Sequence, residues 1–306
     1  MTVQSVDWKS MARQSDPCLV CGTPEAKALY APTFHGSLAQ AQDYFLAHRR
    51  ATAHGPIVKC CGCGFVFTSP RFAPSEYDRI YRSIPTPHEG VVAFDAAKSA
   101  RFRRLAKLVR LKIPKSASLL DFGCADGAFL RELNNPLAKG FEIGAPGRFR
   151  VGPSEVITGD WASIAGTGDL PGGAFDVVTA FDVLEHLPRI DEDVALVRSL
   201  LKPSGLFFAS VPNVESLIAR IMGGRWNMIL LEHLWYFSPR TFDTFLARHG
   251  FRRVAMQTIP FDAPLAHLAT RVAQTFGMRG AFIPRGAAKW VVPVPAGIML
   301  GTYRAV

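Results

Sequence analysis

Nothing in the 306 residues reads as a bilayer span or an export leader. No run of about 18 uncharged apolar residues occurs. The longest apolar tract near the C-terminus, Trp290 to Leu300, is short and carries two prolines and a glycine. Met1 to Ser10 lacks the basic region and apolar core of a secretory signal. These absences predict a cytoplasmic protein with no membrane span. Internal repeats and low-complexity tracts are also missing, which argues against solenoids and propellers. Cysteine is scarce, with six residues, five of them in the first 63 positions. What remains, 48% hydrophobic and 20% charged residues, is an ordinary globular composition. It is long enough for one full α/β domain and a smaller one.

Acidic residues are outnumbered. The net charge of +10 makes a polyanion such as RNA, a nucleotide-linked substrate or an anionic membrane face worth weighing as a partner. The charge is thinly spread, however. Its densest run, Arg101 to Lys112, reads as an amphipathic helix with Phe102, Leu105, Leu108 and Val109 on one face and a solvated cationic face opposite. The aromatic-basic interleaving of single-strand nucleic-acid platforms is not found, so nucleic acid is not the favoured partner.

Residues 1–74 hold five cysteines with little clean periodicity and read as a small module of hairpins. Residues 75–115 have a helical pattern broken at Ile84-Pro85-Thr86-Pro87, where two prolines suggest a hinge or lid, drawn over Tyr77 to Val92. Residues 116–306 alternate β-rich apolar runs with helical stretches, the signature of βαβ units and a parallel sheet. Seven strands are expected: Ser118–Asp121, Lys139–Glu142, Glu155–Thr158, Phe175–Phe181, Gly205–Val211, Arg252–Ile259 and Gly297–Arg304.

The first of these strands runs into Asp121-Phe122-Gly123-Cys124-Ala125-Asp126-Gly127, an acid followed by small residues and then a helix. Small residues there let a ligand lie against the backbone at the carboxyl end of the strand. The second strand ends in Glu142, 21 residues after Asp121, where a carboxylate can accept hydrogen bonds from both hydroxyls of a ribose. The third ends in Gly159-Asp160-Trp161, a carboxylate for an exocyclic amine and an aromatic face for a purine. The G-x-G-x-x-G spacing that seats a dinucleotide pyrophosphate is absent, which disfavours a nicotinamide dehydrogenase.

At these residues the chain resembles the class I S-adenosylmethionine-dependent methyltransferases, whose consensus after strand one is close to L-D-x-G-C-G-x-G-x-x-L. Ala125 replaces the middle glycine, a mild change at negative φ and a costly one at positive φ. The resemblance continues through Phe175-Asp176-Val177-Val178, Asp182-Val183-Leu184-Glu185-His186-Leu187, Leu201 to Leu206, Val211-Pro212-Asn213, Glu232 to Ser238 and His249-Gly250-Phe251. It implies a Rossmann-like seven-stranded sheet with helices on both faces. It further implies an S-adenosylmethionine site formed by Asp121, Gly123, Cys124, Ala125, Gly127, Glu142, Asp160, Trp161, Phe181 and Asp182.

Two C-x-x-C pairs, Cys18 with Cys21 and Cys60 with Cys63, can each present two thiolates to one tetrahedral ion. Zinc is preferred over disulfides for a cytoplasmic chain. Four cysteines close the coordination sphere, so the ion is expected to be structural, with Cys61 a spare. The residues between the pairs must loop out, as a hairpin or short helix around Ala39 to His48. The following Gly64 to Arg71 resembles a segment of bacterial methyltransferases with an N-terminal zinc module, some of which act on nucleotide-linked deoxysugars.

Two Glu-His pairs, Glu185-His186 and Glu232-His233, follow strands that end near the expected cofactor and are the candidate catalytic residues. Either histidine could serve as general base or merely satisfy a structural role, and His233, in an insertion, is slightly preferred. Asp182, Glu185 and His186 also resemble the E-x-x-E-H element that holds a divalent cation in some O-methyltransferases, with the first acid one methylene shorter. Magnesium there is the weaker reading. The combined expectation is methyl transfer to a small molecule, a sugar, nucleotide-sugar or glycan-linked hydroxyl or carbon. RNA and quinone or lipid hydroxyls are the alternatives. For RNA, the Asn/Asp-Pro-Pro-Tyr tetrapeptide expected of base-amine methylation is absent.

Overall fold

The computed structural model describes residues 5–11, 17–45, 53–83, 96–160, 168–266, 268–269, 286 and 290–306. Trp161, most of the lid expected over residues 77–92, and residues 46–48 lie outside the described residues.

The N-terminal segment forms a hairpin-rich sheet from β1 (Ala26–Tyr30), β2 (Ile57–Cys60) and β3 (Val66–Thr68), paired antiparallel in that order. Between β1 and β2, Ser37 caps a short helix, Leu38–Ala41, by accepting from the Gln40 amide, and the Gln40 side chain reaches back to the Ser37 amide. This reciprocal capping box stabilises so short a helix without apolar periodicity.

The larger sheet contains β4 (Leu119–Phe122), β5 (Ala138–Ile143), β6 (Gly147–Val151), β7 (Ser154–Gly159), β8 (Phe175–Phe181) and β9 (Leu201–Pro212). A two-residue strand, β10 (Trp235–Tyr236), precedes the last pair, β11 (Phe251–Pro264) and β12 (Val291–Ala305). The order across the large sheet is β11-β12-β9-β8-β4-β5-β7-β6. Strands β4, β5, β7, β8 and β9 are mutually parallel, while β12 runs antiparallel between β9 and β11. All seven expected strands are present. β6 is an additional one, hairpinned onto β7 and mostly exposed, with Arg148 and Arg150 alternating with Phe149 and Val151. β12 begins before the expected Gly297, in spite of Pro293 and Pro295. In that stretch it pairs with β11 alone, and a strand with one free edge tolerates missing amides.

Helix Ala96–Arg110 buries Ala97, Ser99, Leu105, Ala106 and Val109, the last three packed with Phe129, Leu130, Leu119 and Phe208. Arg101, assigned to a solvated face, is 5% exposed, whereas Phe102 and Leu108 are half-buried. The guanidinium is drawn inward because Asp182 faces it. On the opposite face of the sheet, Val194, Val197, Phe242 and Phe245 pack against Val178 and Ala180.

The two sheets are joined through β10, which pairs antiparallel with β3. Phe65 stacks on Phe67, Trp235 and Phe237 with centroid separations of 5.6, 6.2 and 5.0 Å. Such pairs add about 0.5–1.5 kcal/mol each beyond their area burial, so this seam fixes the small sheet against the large one. No helix among the described residues is long and apolar enough to cross a membrane.

Candidate functional site

The carboxyl ends of β4, β5 and β8 lie side by side, at the topological switch where sheets of this kind place a ligand. After β4 the backbone enters the left-handed region three times in alternation, at Gly123 (φ 73°), Ala125 (φ 48°) and Gly127 (φ 72°). Glycine is required at the outer two. A Cβ on Gly123 would lie 2.6 Å from Val183, and one on Gly127 would lie 2.7 Å from Val151. Ala125 therefore falls on the costly branch, with a left-handed strain of about 1–2 kcal/mol. Its amide donates to the Glu142 carboxylate at 2.6 Å, which spans the turn from the end of β5. Cys124 is buried behind the turn, closing against Gly140 of β5.

Asp121 is buried at the end of β4 and accepts from the Thr179 hydroxyl at 2.7 Å. Burial pushes its carboxyl up to about 7, against the lowering effect of Thr179. Glu142 is also pushed up to about 7 by burial, opposed by backbone amides. Two acids so shifted suit hydroxyl or ammonium donors. Asp160, at the end of β7, is half-exposed and lies 3.9 Å from Arg82 of helix Pro74–Ser83. Phe181 turns its ring edge-on to Phe129 at 4.8 Å, within the core. Asp182 follows in a left-handed conformation (φ 57°), with one oxygen taken by the Ser210 hydroxyl at 2.8 Å and the other by Arg101.

One turn further, Glu185 and His186 lie in the short helical turn Leu184–His186. Glu232 and His233 approach them from the segment before β10, joined by the Leu234 amide donating to the Glu185 carbonyl at 2.8 Å. The imidazoles of His186 and His233 meet edge-to-face at 4.5 Å. Each ring has its Nδ1 against a backbone carbonyl, His186 on Glu232 at 3.1 Å and His233 on Met228 at 2.7 Å. Carbonyls only accept, so Nδ1 carries the proton and Nε2 holds the lone pair. Burial lowers His186 to about 4 and His233 well below its usual range, so both are neutral at pH 7. Burial raises Glu232 to about 8 and also lifts Glu185 well above the usual carboxylate range, with Asp182 adding to the latter. Thus the two Glu-His pairs expected from the sequence converge on one site.

Two side chains at this site were not anticipated. Arg101 balances Asp182 from below the groove. Tyr81, on helix Pro74–Ser83, has a buried hydroxyl with no hydrogen-bond partner, and its ionisation is opposed by burial and by Glu232, Glu142 and Glu185. It stands within electrostatic reach of acids from both ends of the groove.

In the N-terminal sheet, Cys18, Cys21, Cys60 and Cys63 bring their sulfurs within 4.8 Å of one another, with Cys18–Cys63 and Cys21–Cys60 at 3.5 Å. A tetrahedral ion with bonds of about 2.3 Å spaces sulfurs about 3.8 Å apart, so the set fits zinc with small adjustment. The Gly62 amide donates to Cys60 Sγ at 3.3 Å, as in a metal knuckle. The thiols are unequal without an ion, Cys18 raised by burial and Cys21 lowered to about 6 chiefly by the Thr23 hydroxyl. Cys61 is exposed and outside the cluster.

A family model described as a methyltransferase domain matches residues 96–255. Among curated proteins, the chain is similar to the C-methyltransferase NovU of Streptomyces niveus, 37% identical over 89 residues, covering 26% of this chain and 20% of that protein. It is also similar to ubiquinone biosynthesis O-methyltransferases. With that of Burkholderia pseudomallei strain 1710b it is 30% identical over 101 residues, covering 31% and 43%. With that of Paraburkholderia xenovorans strain LB400 it is 25% identical over 175 residues, covering 52% and 74%. The chain thus spans a fifth and less than half of the first two relatives. Among solved structures it is similar to a Burkholderia thailandensis 1,6-didemethyltoxoflavin-N1-methyltransferase with bound 1,6-didemethyltoxoflavin and S-adenosylhomocysteine, at 18% identity and TM-score 0.42, covering 80% of this chain and 97% of that one.

Proposed function

Because the chain belongs to the family of methyltransferase domains matched over residues 96–255, we propose that it transfers the methyl group of S-adenosylmethionine to a small-molecule acceptor. A sugar, nucleotide-sugar or glycan-linked hydroxyl or carbon is the acceptor class we assign. The observation that carries the reading is the Glu142 carboxylate bridging the left-handed turn at Ala125, beside buried Asp121. An acid held there takes both hydroxyls of a ribose, while the small residues of the turn let the cofactor's chain pass against the backbone. Asp160 serves the adenine amine, and Trp161, outside the described residues, its ring.

In the transfer, an acceptor lone pair forms the new bond to the methyl carbon as the C–S bond breaks, and the sulfur keeps the electron pair. Alignment and removal of the acceptor's proton are the protein's part. Activation is assigned to His233 and His186, whose Nε2 lone pairs are the neutral acceptors at the groove, with Glu232 and Glu185 beside them. As bare imidazoles they take the proton at Nε2. Cys18, Cys21, Cys60 and Cys63 hold a structural zinc in this reading, which stabilises the small sheet on which Thr68 and β10 support His233. Thr68 donates to the His233 carbonyl at 3.0 Å, and the Tyr236 hydroxyl at 3.1 Å.

A quinone-type hydroxyl is the second reading, favoured by the longer stretch shared with ubiquinone biosynthesis O-methyltransferases. Incubation with methyl-labelled cofactor and separate nucleotide-sugar, quinone-lipid and RNA extracts decides among these. Label in the nucleotide-sugar fraction supports the reading. Label only in lipid or RNA overturns the acceptor class, and no label with any fraction overturns the activity.

A further inference from the structure

Six buried side-chain nitrogen and oxygen atoms lack a hydrogen-bond partner among the described residues, and four of them belong to one corner of the fold: Nε and Nη1 of Arg101, Nε of Arg104 and Oδ2 of Asp262. We propose that this corner binds a phosphate ester of a hydroxylated molecule, a sugar phosphate in the simplest case, and so holds the non-reacting part of the acceptor. The proposal rests on the reading of a sugar-linked acceptor and deepens it by naming the group through which that acceptor is gripped.

Three elements build the corner. Helix Ala96–Arg110 supplies both arginines, which are three residues apart and therefore neighbours on its surface. The last part of β11 supplies Phe261 and Asp262, and Asp182 follows directly after β8. Arg101 is 5% exposed and Asp262 4%. Charges so buried need partners, and each has only some of them. Arg101 gives Nη2 to Asp182, and the Phe261 ring lies over its guanidinium carbon at 5.3 Å. Arg104 gives Nη2 to one oxygen of Asp262 at 2.8 Å.

The remainder is three N–H donors and one carboxylate oxygen. A buried group left unpaired costs more than an ordinary hydrogen bond gains. Phosphate oxygens accept from guanidinium donors in charge-assisted bonds, and a hydroxyl beside the phosphate donates to the free oxygen of Asp262. A sugar phosphate offers both in one molecule, whereas a free sugar lacks the anion and inorganic phosphate lacks the neighbouring hydroxyl. With Lys107, three cations face the carboxylates of Asp182 and Asp262, so the balance favours an anion. Access is along the sheet edge. A cleft of about 350 Å³ runs between the helix and β11, lined by Arg104, Lys107, Leu108, Gln257 and Thr258, and Arg104 joins it to the corner.

Placement separates this site from the cofactor end. From β8, β11 lies three strands to one side, and β5, which carries Glu142, two strands to the other. Arg101 reaches from Asp182 toward β11, away from Glu142. It is also near enough to Glu185 to favour that carboxylate electrostatically. A molecule held here by its phosphate thus has its other end beside Glu185 and His186.

The test titrates the full chain, saturated with S-adenosylhomocysteine, by calorimetry at fixed ionic strength with a hexose 1-phosphate, inorganic phosphate and the free hexose. The hexose 1-phosphate should bind tightest and the free hexose weakest. Arg101→Lys and Arg104→Lys keep a cation opposite Asp182 and Asp262 but lose the free guanidinium donors. Each should weaken the hexose 1-phosphate about tenfold or more, the loss of a hydrogen bond to a charged group, with S-adenosylmethionine affinity and melting temperature near wild type. Asp262→Asn should narrow the preference for hexose 1-phosphate over inorganic phosphate. No saturable binding of hexose 1-phosphate at millimolar concentration overturns the proposal, as does affinity unchanged in both lysine variants. A fall in S-adenosylmethionine affinity in Arg101→Lys, with hexose 1-phosphate unaffected, assigns Arg101 to the cofactor instead and also overturns it. Failure of the wild-type chain to bind S-adenosylhomocysteine defeats the underlying reading, and the same titrations without cofactor then still score the phosphate site.

Discussion

In the proposed reading, the cofactor end and the acceptor end of the site are built on different plans. The cofactor end is assembled from adjacent strands, with Asp121, Gly123, Ala125, Gly127 and Glu142 falling within two consecutive βα and β elements, and one hydrogen bond at 2.6 Å joins its halves. The acceptor end draws Thr68 and Tyr81 from the N-terminal half, Glu185 and His186 from the turn after β8, and Glu232 to Tyr236 from the segment preceding helix Pro239–Arg248. The cofactor end thus depends on local turn chemistry. The acceptor end depends on the packing of β3 against β10, so it is sensitive to the small sheet, and the cofactor end much less so.

The largest effect that would separate the two ends is loss of the zinc proposed for the four cysteines. Cys60→Ser should drop zinc from about one equivalent to less than half by elemental analysis, with a fall in melting temperature, since structural zinc supplies about 10 kcal/mol or more of apparent folding free energy in small modules. Cys61→Ser should leave zinc unchanged. Equal loss in both would break the assignment of the four ligands.

At the acceptor end itself, His233→Ala and His186→Ala should each lower kcat by about 10²–10⁴-fold while calorimetric cofactor affinity stays near wild type. Near-wild-type turnover in both would leave positioning as the sole contribution of this end, and would blur the comparison.

The cofactor end should respond to pH. Burial raises Glu142 to about 7, and a ribose favours its ionised form, so cofactor affinity should rise by up to about tenfold between pH 6 and pH 8. Glu142→Gln should flatten the profile. For the unliganded fold the sign is reversed. Asp121 and Glu142, raised above their unfolded values, contribute stability that is present at low pH and lost as the pH climbs through about 7.

The smallest effect concerns Ala125. With φ at 48°, replacement by glycine should relieve left-handed strain and stabilise the fold by about 1 kcal/mol or less, after allowing for the greater entropy of the unfolded glycine chain. A denaturant midpoint that falls in Ala125→Gly would show that the turn is not strained.

The same contrast explains what could be read from the chain. The seven strands along the chain, the glycine turn and the place of Glu142 at a strand end are legible because each lies in a contiguous pattern whose spacing the backbone enforces. The two Glu-His pairs were legible as motifs, but their convergence was not, because Leu234 bonds to Glu185 only once β10 has paired with β3. β10 has two residues, too few for any periodicity. Arg101 looked solvated because a helical stripe of cations gives no sign that Asp182 will face one of them. Tyr81 carried no signal beyond its place in an amphipathic helix. Ala125 stands out in the sequence, and only the backbone angle decides the sign of its effect.

The central claim, that the cofactor lies against the turn after β4 with its ribose on Glu142, is tested most directly by calorimetry of S-adenosylmethionine binding to the wild-type protein and to Glu142→Ala. A charged contact to two hydroxyls should be worth about 1.5–3 kcal/mol, so affinity should fall roughly tenfold to a hundredfold with the fold intact. Unchanged affinity in the variant would contradict the assignment.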